Sequence, residues 1–251
     1  GLMVTLQLNR VSARYGRRAI LEDITTPCFH GGQVVALLGP NAAGKSTLFR
    51  RILGLLKGEG EVIISGTNAE RPVGYMPQDT GAKAVLTVYE SVLLARMQGR
   101  GLKVQPEDLA QVDRALEELS ITPLGERDIG DLSGGQRQLV SAAQALVQEP
   151  EILMLDEPTS ALDLNRQISL LTVLRRLADE RQMLILVALH DLGHALRFAD
   201  AAMMLENGRL IACGPTAEVI TPELLRQVYQ VAARIEPCSK GQPQLIVEAA
   251  I

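Results

Sequence analysis

Apolar and polar residues alternate from Val4 to Ile24, with a turn at Tyr15–Arg18, as in a half-buried antiparallel sheet. Farther along, nearly continuous apolar runs are typical of strands that are covered on both faces. These runs are Gln33–Leu38, Ile152–Leu155, Met183–Leu189 and Ala201–Leu205. The helical patterns between them are Gly44–Leu53, Gly134–Val147, Leu164–Glu180 and Asp191–Phe198. Strands that alternate with helices predict an α/β fold with a mainly parallel sheet and an N-terminal antiparallel β subdomain.

The pattern becomes purely helical after Gln78 and stays so to Ser133. We therefore predict a helical subdomain, about residues 79–133, inserted into a single domain of residues 3–251. Its helices are expected at Val88–Gln98 and Pro106–Ser120. The C-terminal tail, about residues 221–251, is expected to hold a helix at Pro222–Val228 and a strand at Gln244–Glu248.

Composition excludes several classes of protein. The 251 residues are 47% hydrophobic but only 3% aromatic, with a formal net charge of -4, which disfavours a nucleic-acid platform. The apolar runs fall far short of the ~20 residues of a membrane-spanning helix. Met3–Asn9 alternates like a strand, so no signal peptide is expected. The three cysteines are scattered, which indicates reduced thiols in a cytosolic protein. Such a protein can still have a partner in the membrane.

A phosphate-binding loop is predicted between the first buried strand and the helix after it. GPNAAGKST matches GxxxxGK[ST] in that context, which makes an unliganded glycine-rich turn a poor alternative. Backbone N–H groups and the helix N-terminus would hold phosphates, Lys45 would bridge the β- and γ-phosphates, and Ser46 would hold Mg²⁺. The predicted binding residues are Gly39, Pro40, Asn41, Ala42, Ala43, Gly44, Lys45, Ser46 and Thr47.

Polar residues at the ends of other predicted strands complete a hydrolytic site. Asp156 and Glu157 follow a buried run, where side chains project into the ligand crevice of an open α/β sheet. Asp156 suits Mg²⁺ through a water molecule, and Glu157 is placed to deprotonate the attacking water. Gln78 and His190 follow two further predicted strands. Gln78 is expected to sense the γ-phosphate and to bind the metal, and His190 is expected to act as the partner of the base. The alternative for the acidic pair alone is a solvated helix start.

A second glycine-rich helix start occurs at LSGGQ, almost ninety residues after the loop. Ser133 is a good N-cap, and Gly134 and Gly135, before Gln136, leave N–H groups exposed to an anion. This turn either converges on the phosphates of its own chain or, in a two-fold dimer, caps the γ-phosphate held by the other chain.

These motifs, in this order, resemble those of the ATP-binding cassette (ABC) ATPases over essentially the whole chain. The segments are GPNAAGKST, Gln78, LSGGQRQ, ILMLDEP, SALD at Ser160–Asp163, and His190. The resemblance implies a P-loop NTPase core and a head-to-tail homodimer around two ATP molecules, with Ser133, Gly135 and Gln136 acting in trans. It also implies that Asp163 links the two sites and that Tyr15 stacks on adenine.

Two departures from the family pattern stand out. Ala42 occupies a position where the family usually has glycine, which is acceptable if its φ is negative. Between Gly66 and Gln78 the chain also looks roughly ten residues shorter than in many relatives, so a surface connection is trimmed. Neither departure is expected to touch the catalytic groups.

The segments TVYESVLLAR, ALDLNRQ and TPELLRQVYQVAARIEP resemble the ATPases of iron–siderophore, haem and cobalamin importers, with iron–siderophore preferred. That resemblance implies integral-membrane permease subunits as partners, and indirectly a periplasmic or lipoprotein substrate-binding protein. It places the chain peripherally on the cytoplasmic face of a bacterial inner membrane. A groove lined by Asp79–Glu90 is expected to receive the permease. One alternative is the ATPase of another transport system, and another is an ABC ATPase that acts in signalling or on DNA. A small-molecule kinase agrees less well with these motifs.

Overall fold

Strands and helices alternate along most of the chain. The computed structural model describes residues 3–79, 85–101 and 103–251, and the elements below belong to these residues. The strands in chain order are β1 (Thr5–Asn9), β2 (Val11–Tyr15), β3 (Arg18–Ile24), β4 (Phe29–His30), β5 (Val34–Leu38), β6 (Glu61–Ser65), β7 (Val73–Met76), β8 (Ile152–Asp156), β9 (Leu184–Ala188), β10 (Ala201–Glu206), β11 (Arg209–Pro215), β12 (Val231–Pro237) and β13 (Pro243–Ala250). The helices are α1 (Lys45–Leu53), α2 (Val88–Met97), α3 (Pro106–Glu118), α4 (Gly134–Leu146), α5 (Leu164–Arg181), α6 (Leu192–Phe198), α7 (Thr216–Val219) and α8 (Pro222–Tyr229).

A six-stranded sheet in the order β11-β10-β5-β9-β8-β7 forms the centre of the fold. Its strands run parallel except for the edge strand β11, which pairs antiparallel with β10. All residues of β5, β8 and β9 are buried, which accounts for their uninterrupted apolar sequences. The predicted α/β class with a mainly parallel sheet is confirmed. Because β5, β9, β8 and β7 are neighbours, the residues that follow each of them meet at one edge.

The N-terminal strands form two small antiparallel sheets rather than one. The hairpin β2–β3 turns where the sequence predicts, with Tyr15 opposite Arg18. β1, however, pairs with β4 and β6 instead of β2. β6 is a short strand whose residues are exposed or half-buried, so its sequence pattern alone does not predict a strand there. The buried faces of β1–β3 share a hydrophobic cluster with Leu48 and Phe49 of α1, so this layer supports the helix that follows the phosphate loop.

The helices α2 and α3 pack against α4, and all three contribute to the main hydrophobic core. α2 begins at a capping box in which Thr87 Oγ1 accepts from the Glu90 N–H at 3.1 Å. Arg96 is 2% exposed and donates to Asp108 of α3 at 3.0 Å and to Glu149, beyond α4, at 2.9 Å. A buried guanidinium without such partners would be strongly destabilising. The Arg96 network therefore holds the three helices in one arrangement.

The C-terminal tail adds a β-hairpin to α8. β13 contains the predicted strand Gln244–Glu248, whereas its partner β12 is not predicted. Val231, Ile235 and Leu245 of the hairpin pack against the main core.

Across the described ranges, the helices are all too short or too polar to traverse a lipid bilayer.

Candidate nucleotide site

The predicted phosphate loop connects the buried strand β5 to α1. Gly39, Pro40, Asn41, Ala42, Ala43 and Gly44 form the turn, and Lys45, Ser46 and Thr47 form the first turn of α1. The Lys45 side chain is only 6% exposed and folds back to donate from Nζ to the Gly39 carbonyl at 2.8 Å. Burial lowers the pKa of Lys45, while the nearby Glu157 and Asp156 carboxylates oppose that shift. A phosphate in the turn would supply this buried ammonium with further negative charge.

Ala42 adopts a left-handed conformation, with φ 64. The condition under which alanine would be acceptable at this position, a negative φ, is therefore not met. The conformation costs an alanine about 1–2 kcal/mol, which a glycine at the same position would avoid. Ala42 is exposed, so the strain is confined to its backbone. Ala42 is thus a strained position in the loop, as the departure from the family's glycine suggests.

Ser46 and Asp156 form an oxygen-rich corner that fits a magnesium ion. The Ser46 hydroxyl donates to Asp156 Oδ2 at 2.6 Å. The other carboxylate oxygen, Oδ1, is buried and has no hydrogen-bond partner among the residues that the structure describes. Burial raises the pKa of Asp156, and the neighbouring Glu157 raises it further, against the Ser46 hydrogen bond. Mg²⁺ prefers carboxylate and hydroxyl oxygens, and a cation here would offset the cost of this buried acid.

Three of the four predicted catalytic side chains surround the carboxylate of the fourth, Glu157. Gln78 Nε2 donates to Glu157 Oε2 at 2.8 Å, His190 Nε2 lies 2.8 Å from Oε1, and Lys45 Nζ lies 4.0 Å from Oε1. The carboxylate is 11% exposed, whereas His190 is 49% exposed. The backbone N–H of Glu157 donates to Ala188 of β9 at 3.1 Å, which fixes the residue across two strands.

Gln78 contacts the proposed base rather than the proposed metal corner. Its amide nitrogen is committed to Glu157, so only Gln78 Oε1 remains to serve as the predicted metal ligand. The geometry therefore supports the sensor role of Gln78 more directly than its role as a ligand.

The LSGGQ turn begins α4 as the sequence predicts. Ser133 Oγ accepts from the Gln136 N–H at 3.1 Å, and Gln136 Oε1 accepts from the Ser133 N–H at 3.0 Å. A Cβ on Gly135 would lie 2.9 Å from the Ala161 carbonyl, so glycine permits the close approach of the two segments. Ser133 itself is exposed at the start of the helix. The turn therefore presents a capped helix N-terminus to solvent.

Asp163 and Tyr15 are also exposed. Asp163 caps α5 by accepting from the Arg166 N–H at 2.9 Å. Tyr15 lies at the end of β2, and its hydroxyl accepts from Arg50 of α1 at 3.4 Å. Both side chains are accessible to another molecule.

Gln138 is a site residue that the sequence reasoning misses. It is 3% exposed and donates from Nε2 to Ser160 Oγ at 2.7 Å and to the Glu157 carbonyl at 3.3 Å. Its Oε1 accepts from the Ala161 N–H at 3.0 Å. Gln138 therefore braces the segment after Glu157 against the helix that carries LSGGQ. Its signal in the sequence is a glutamine on the buried face of that helix, as the last letter of LSGGQRQ.

Comparison with known proteins decides the family. Residues 23–160, more than half of the chain, match the family model described as ABC transporter. The chain belongs to the ABC transporter family. It is 37% identical over 245 residues to the iron(3+)-hydroxamate import ATP-binding protein FhuC of Bacillus subtilis (strain 168), covering 93% of this chain and 90% of that protein. The ABC ATPase resemblance predicted from the motifs is confirmed.

Solved ABC proteins share the fold along the chain. One is a transporter assigned to the metal-chelate type in an inward-facing conformation, with a TM-score of 0.86 at 26% identity and 98% coverage of both chains. Another is the ATP-binding cassette MJ0796, dimeric, in a post-hydrolysis state bound to ADP and Pi, with a TM-score of 0.73 at 26% identity, covering 84% of this chain and 98% of that one. As an ABC ATPase, the chain binds and hydrolyses ATP.

Proposed function

We propose that this ABC ATPase powers the import of a metal chelate, an iron–siderophore in the first place, through separate membrane subunits. The observation that carries the proposal is its likeness to an iron(3+)-hydroxamate import ATP-binding protein over 93% of the chain and 90% of that relative. The likeness to a metal-chelate type transporter, at 98% coverage, supports the same class. The chain would lie on the cytoplasmic face of a bacterial inner membrane, with a substrate-binding protein acting on the far side.

The site supports a division of labour in hydrolysis. The N–H groups of the phosphate loop and Lys45 hold the phosphates, and their charge stabilises the transferred group. Ser46 and Asp156 would hold Mg²⁺, which supplies charge neutralisation at the phosphate oxygens when bound. Glu157 takes a proton from the attacking water, while His190 and Gln78 orient its carboxylate from two sides. The contacts of Glu157, Lys45 and Asp156 support these roles.

A head-to-tail homodimer gives the exposed LSGGQ turn a ligand. The capping box takes up the N–H groups of Ser133 and Gln136. The N–H groups of Gly134 and Gly135, which helix geometry leaves without a partner inside α4, would donate to a γ-phosphate held by a second chain, with the helix dipole adding to the attraction. The dimeric state of MJ0796 with ADP and Pi supports that assembly. We assign Asp163 to the link between the two sites and Tyr15 to stacking on adenine, because both side chains are exposed.

A groove beside Gln78 is the proposed seat of the membrane subunit. It has a volume of about 260 Å³, and its lining comprises Met76, Pro77, Gln78, Asp79, Ile129, Arg137, Gln138, Val140, Ser141 and Gln144. Of the predicted stretch Asp79–Glu90, residue Asp79 contributes, residues 80–84 lie outside the described residues, and α4 supplies more of the lining. Arg137 reaches Asp79 at 3.5 Å. Because Gln78 both lines the groove and contacts Glu157, a permease helix seated there could sense the site.

Filling the groove should separate docking from chemistry. In Gln144→Arg, a long charged side chain enters the groove, so co-purification with the permease should fall by about tenfold or more, as when a buried interface position is blocked. ATP binding by the isolated subunit should stay unchanged, since Gln144 lies on α4 and lines the groove, whereas the phosphate loop connects β5 to α1. Ser169→Arg, an exposed position on α5, is the matched control. Loss of ATP binding with retained assembly would mean that the groove has been misplaced.

Transport itself is tested by reconstitution. The subunit, its permease and the substrate-binding protein in proteoliposomes should take up radiolabelled iron–hydroxamate in an ATP-dependent way, with Glu157→Gln as the inactive control. Haem or cobalamin uptake in place of the siderophore would change the substrate but keep the class. ATPase activity that no membrane subunit stimulates would instead favour a non-transport role.

A further inference from the structure

Glu157, the proposed base, has a left-handed backbone conformation. Its φ is 53, which is uncommon for a residue that carries a side chain and persists only where the surrounding structure holds it. Glu157 directly follows β8, whose residues are all buried. The chain therefore turns sharply at Glu157 as it leaves the sheet, and this turn sets the direction of the carboxylate. The groups that hold the turn also aim the base.

Hydrogen bonds hold the backbone of Glu157 at both ends. Its N–H donates to the Ala188 carbonyl of β9 at 3.1 Å. Its carbonyl accepts from Gln138 Nε2 at 3.3 Å and from Ser160 Oγ at 3.2 Å. Ser160 is only three residues farther along the chain and can move with the turn. Gln138 belongs to α4, so it holds the carbonyl from outside the turn.

The Gln138 amide uses both of its ends. Nε2 also donates to Ser160 Oγ at 2.7 Å, and that hydroxyl in turn donates to the Glu157 carbonyl. Oε1 accepts from the Ala161 N–H at 3.0 Å. The side chain is 3% exposed, and a buried amide is stable only where its polar atoms have partners. These partners therefore fix the amide in one orientation.

The start of α4 is attached to the same segment at a second point. Gly135 lies three residues before Gln138, on the same face of the helix. A Cβ on Gly135 would lie 2.9 Å from the Ala161 carbonyl, so the two backbones are in close contact there. A displacement of the LSGGQ end of α4 would therefore reach the Glu157 carbonyl through Gln138.

We propose that Gln138 is a positioning residue of the hydrolytic base, which holds the left-handed turn at Glu157 from the helix that begins at LSGGQ. The inference rests on the role of Glu157 proposed above. Gln138 acts through the backbone of Glu157 and leaves the phosphate loop untouched. Its removal should therefore lower the rate of hydrolysis and not the affinity for ATP.

Gln138→Met tests this on the full-length chain, because methionine keeps the length of the side chain but has no amide. The kcat for ATP hydrolysis should fall by about tenfold or more, since a base that is slightly displaced is no longer aligned with the attacking water. The KM for MgATP, and the Kd for a non-hydrolysable ATP analogue, should stay within about twofold. Gln138→Ala removes the same amide without a long apolar chain, so it is the second variant and should give the same result.

Gln148→Met is the matched control. Gln148 follows α4 and donates from Nε2 to the Ala95 carbonyl at 2.7 Å, so the variant also loses a bond from a glutamine amide to the backbone. It should keep native kcat, whatever its effect on Tm, because this bond does not reach Glu157.

The effect of Gln138→Met should disappear when the base is absent. In a Glu157→Gln background it should slow the residual single-turnover hydrolysis by less than about twofold, because no base remains to be aimed. Ser160→Ala removes the hydroxyl between Gln138 and the Glu157 carbonyl. Combined with Gln138→Met, it should cost less than the product of the two separate losses in kcat, since both act through one network.

Two outcomes would overturn the proposal and leave the base in place. One is native kcat in folded Gln138→Met or Gln138→Ala while Glu157→Gln is slow. The other is the same loss of rate from Gln138→Met in the native and the Glu157→Gln backgrounds, which marks a general structural role. Native turnover by Glu157→Gln would instead overturn the base itself, and the role of Gln138 with it.

Discussion

Glu157→Gln should bind ATP normally but hydrolyse it at least about a hundredfold more slowly than the native chain. Glutamine keeps the size of the side chain and can still accept a hydrogen bond from Gln78 through Oε1, but it cannot take a proton from water. Because Glu157 is only 11% exposed and His190 and Gln78 already contact it, few other bases can replace it. The ATP-bound dimer should therefore accumulate, as measured by size exclusion, beside a steady-state assay of phosphate release.

The matched control is Glu180→Gln, an exposed glutamate of α5, which should keep native turnover. Near-normal phosphate release by Glu157→Gln would contradict the assignment of Glu157 as the base. A loss of ATP binding in that variant would instead show that Glu157 acts mainly through its contact with Lys45, 4.0 Å away.

The sequence predicts which residues stand at the strand ends, and topology predicts that they meet. Gln78, Glu157 and His190 follow β7, β8 and β9, and these three strands are neighbours in the sheet. Buried apolar runs identify such strands because both faces of a parallel sheet are covered. The carboxylate-centred geometry, with Glu157 2.8 Å from both partners, needs the three-dimensional register and cannot be derived from spacing.

The structural features that the sequence does not predict depend on long-range contacts or on backbone geometry. Ala42 adopts a left-handed φ of 64 in the loop between β5 and α1, and an alanine in the sequence does not by itself predict that conformation. β12 is half-exposed and finds its partner only in the tail hairpin. Hydrophobic periodicity reports none of these, because it records only neighbours along the chain.

A mixed dimer tests whether LSGGQ serves the nucleotide of the other chain. Lys45→Ala removes the charged contact to the phosphates, and Ser133→Arg places a bulky cation at the exposed start of α4. Each variant alone puts a lesion in both sites of a homodimer, so its ATPase activity should fall by about a hundredfold or more. Ser169→Arg controls for an added arginine on an exposed helix.

In a heterodimer of the two variants, the trans arrangement gathers both lesions in one site. The other site pairs the intact Lys45 of one chain with the intact Ser133 of its partner, so it should close on ATP and complete at least a single turnover. If LSGGQ served its own chain, each site would carry one lesion and no activity would return. Purification through two different tags, followed by single-turnover hydrolysis of radiolabelled ATP, distinguishes these cases. A verified heterodimer that is no more active than either homodimer would contradict the trans model, because that model leaves one site complete.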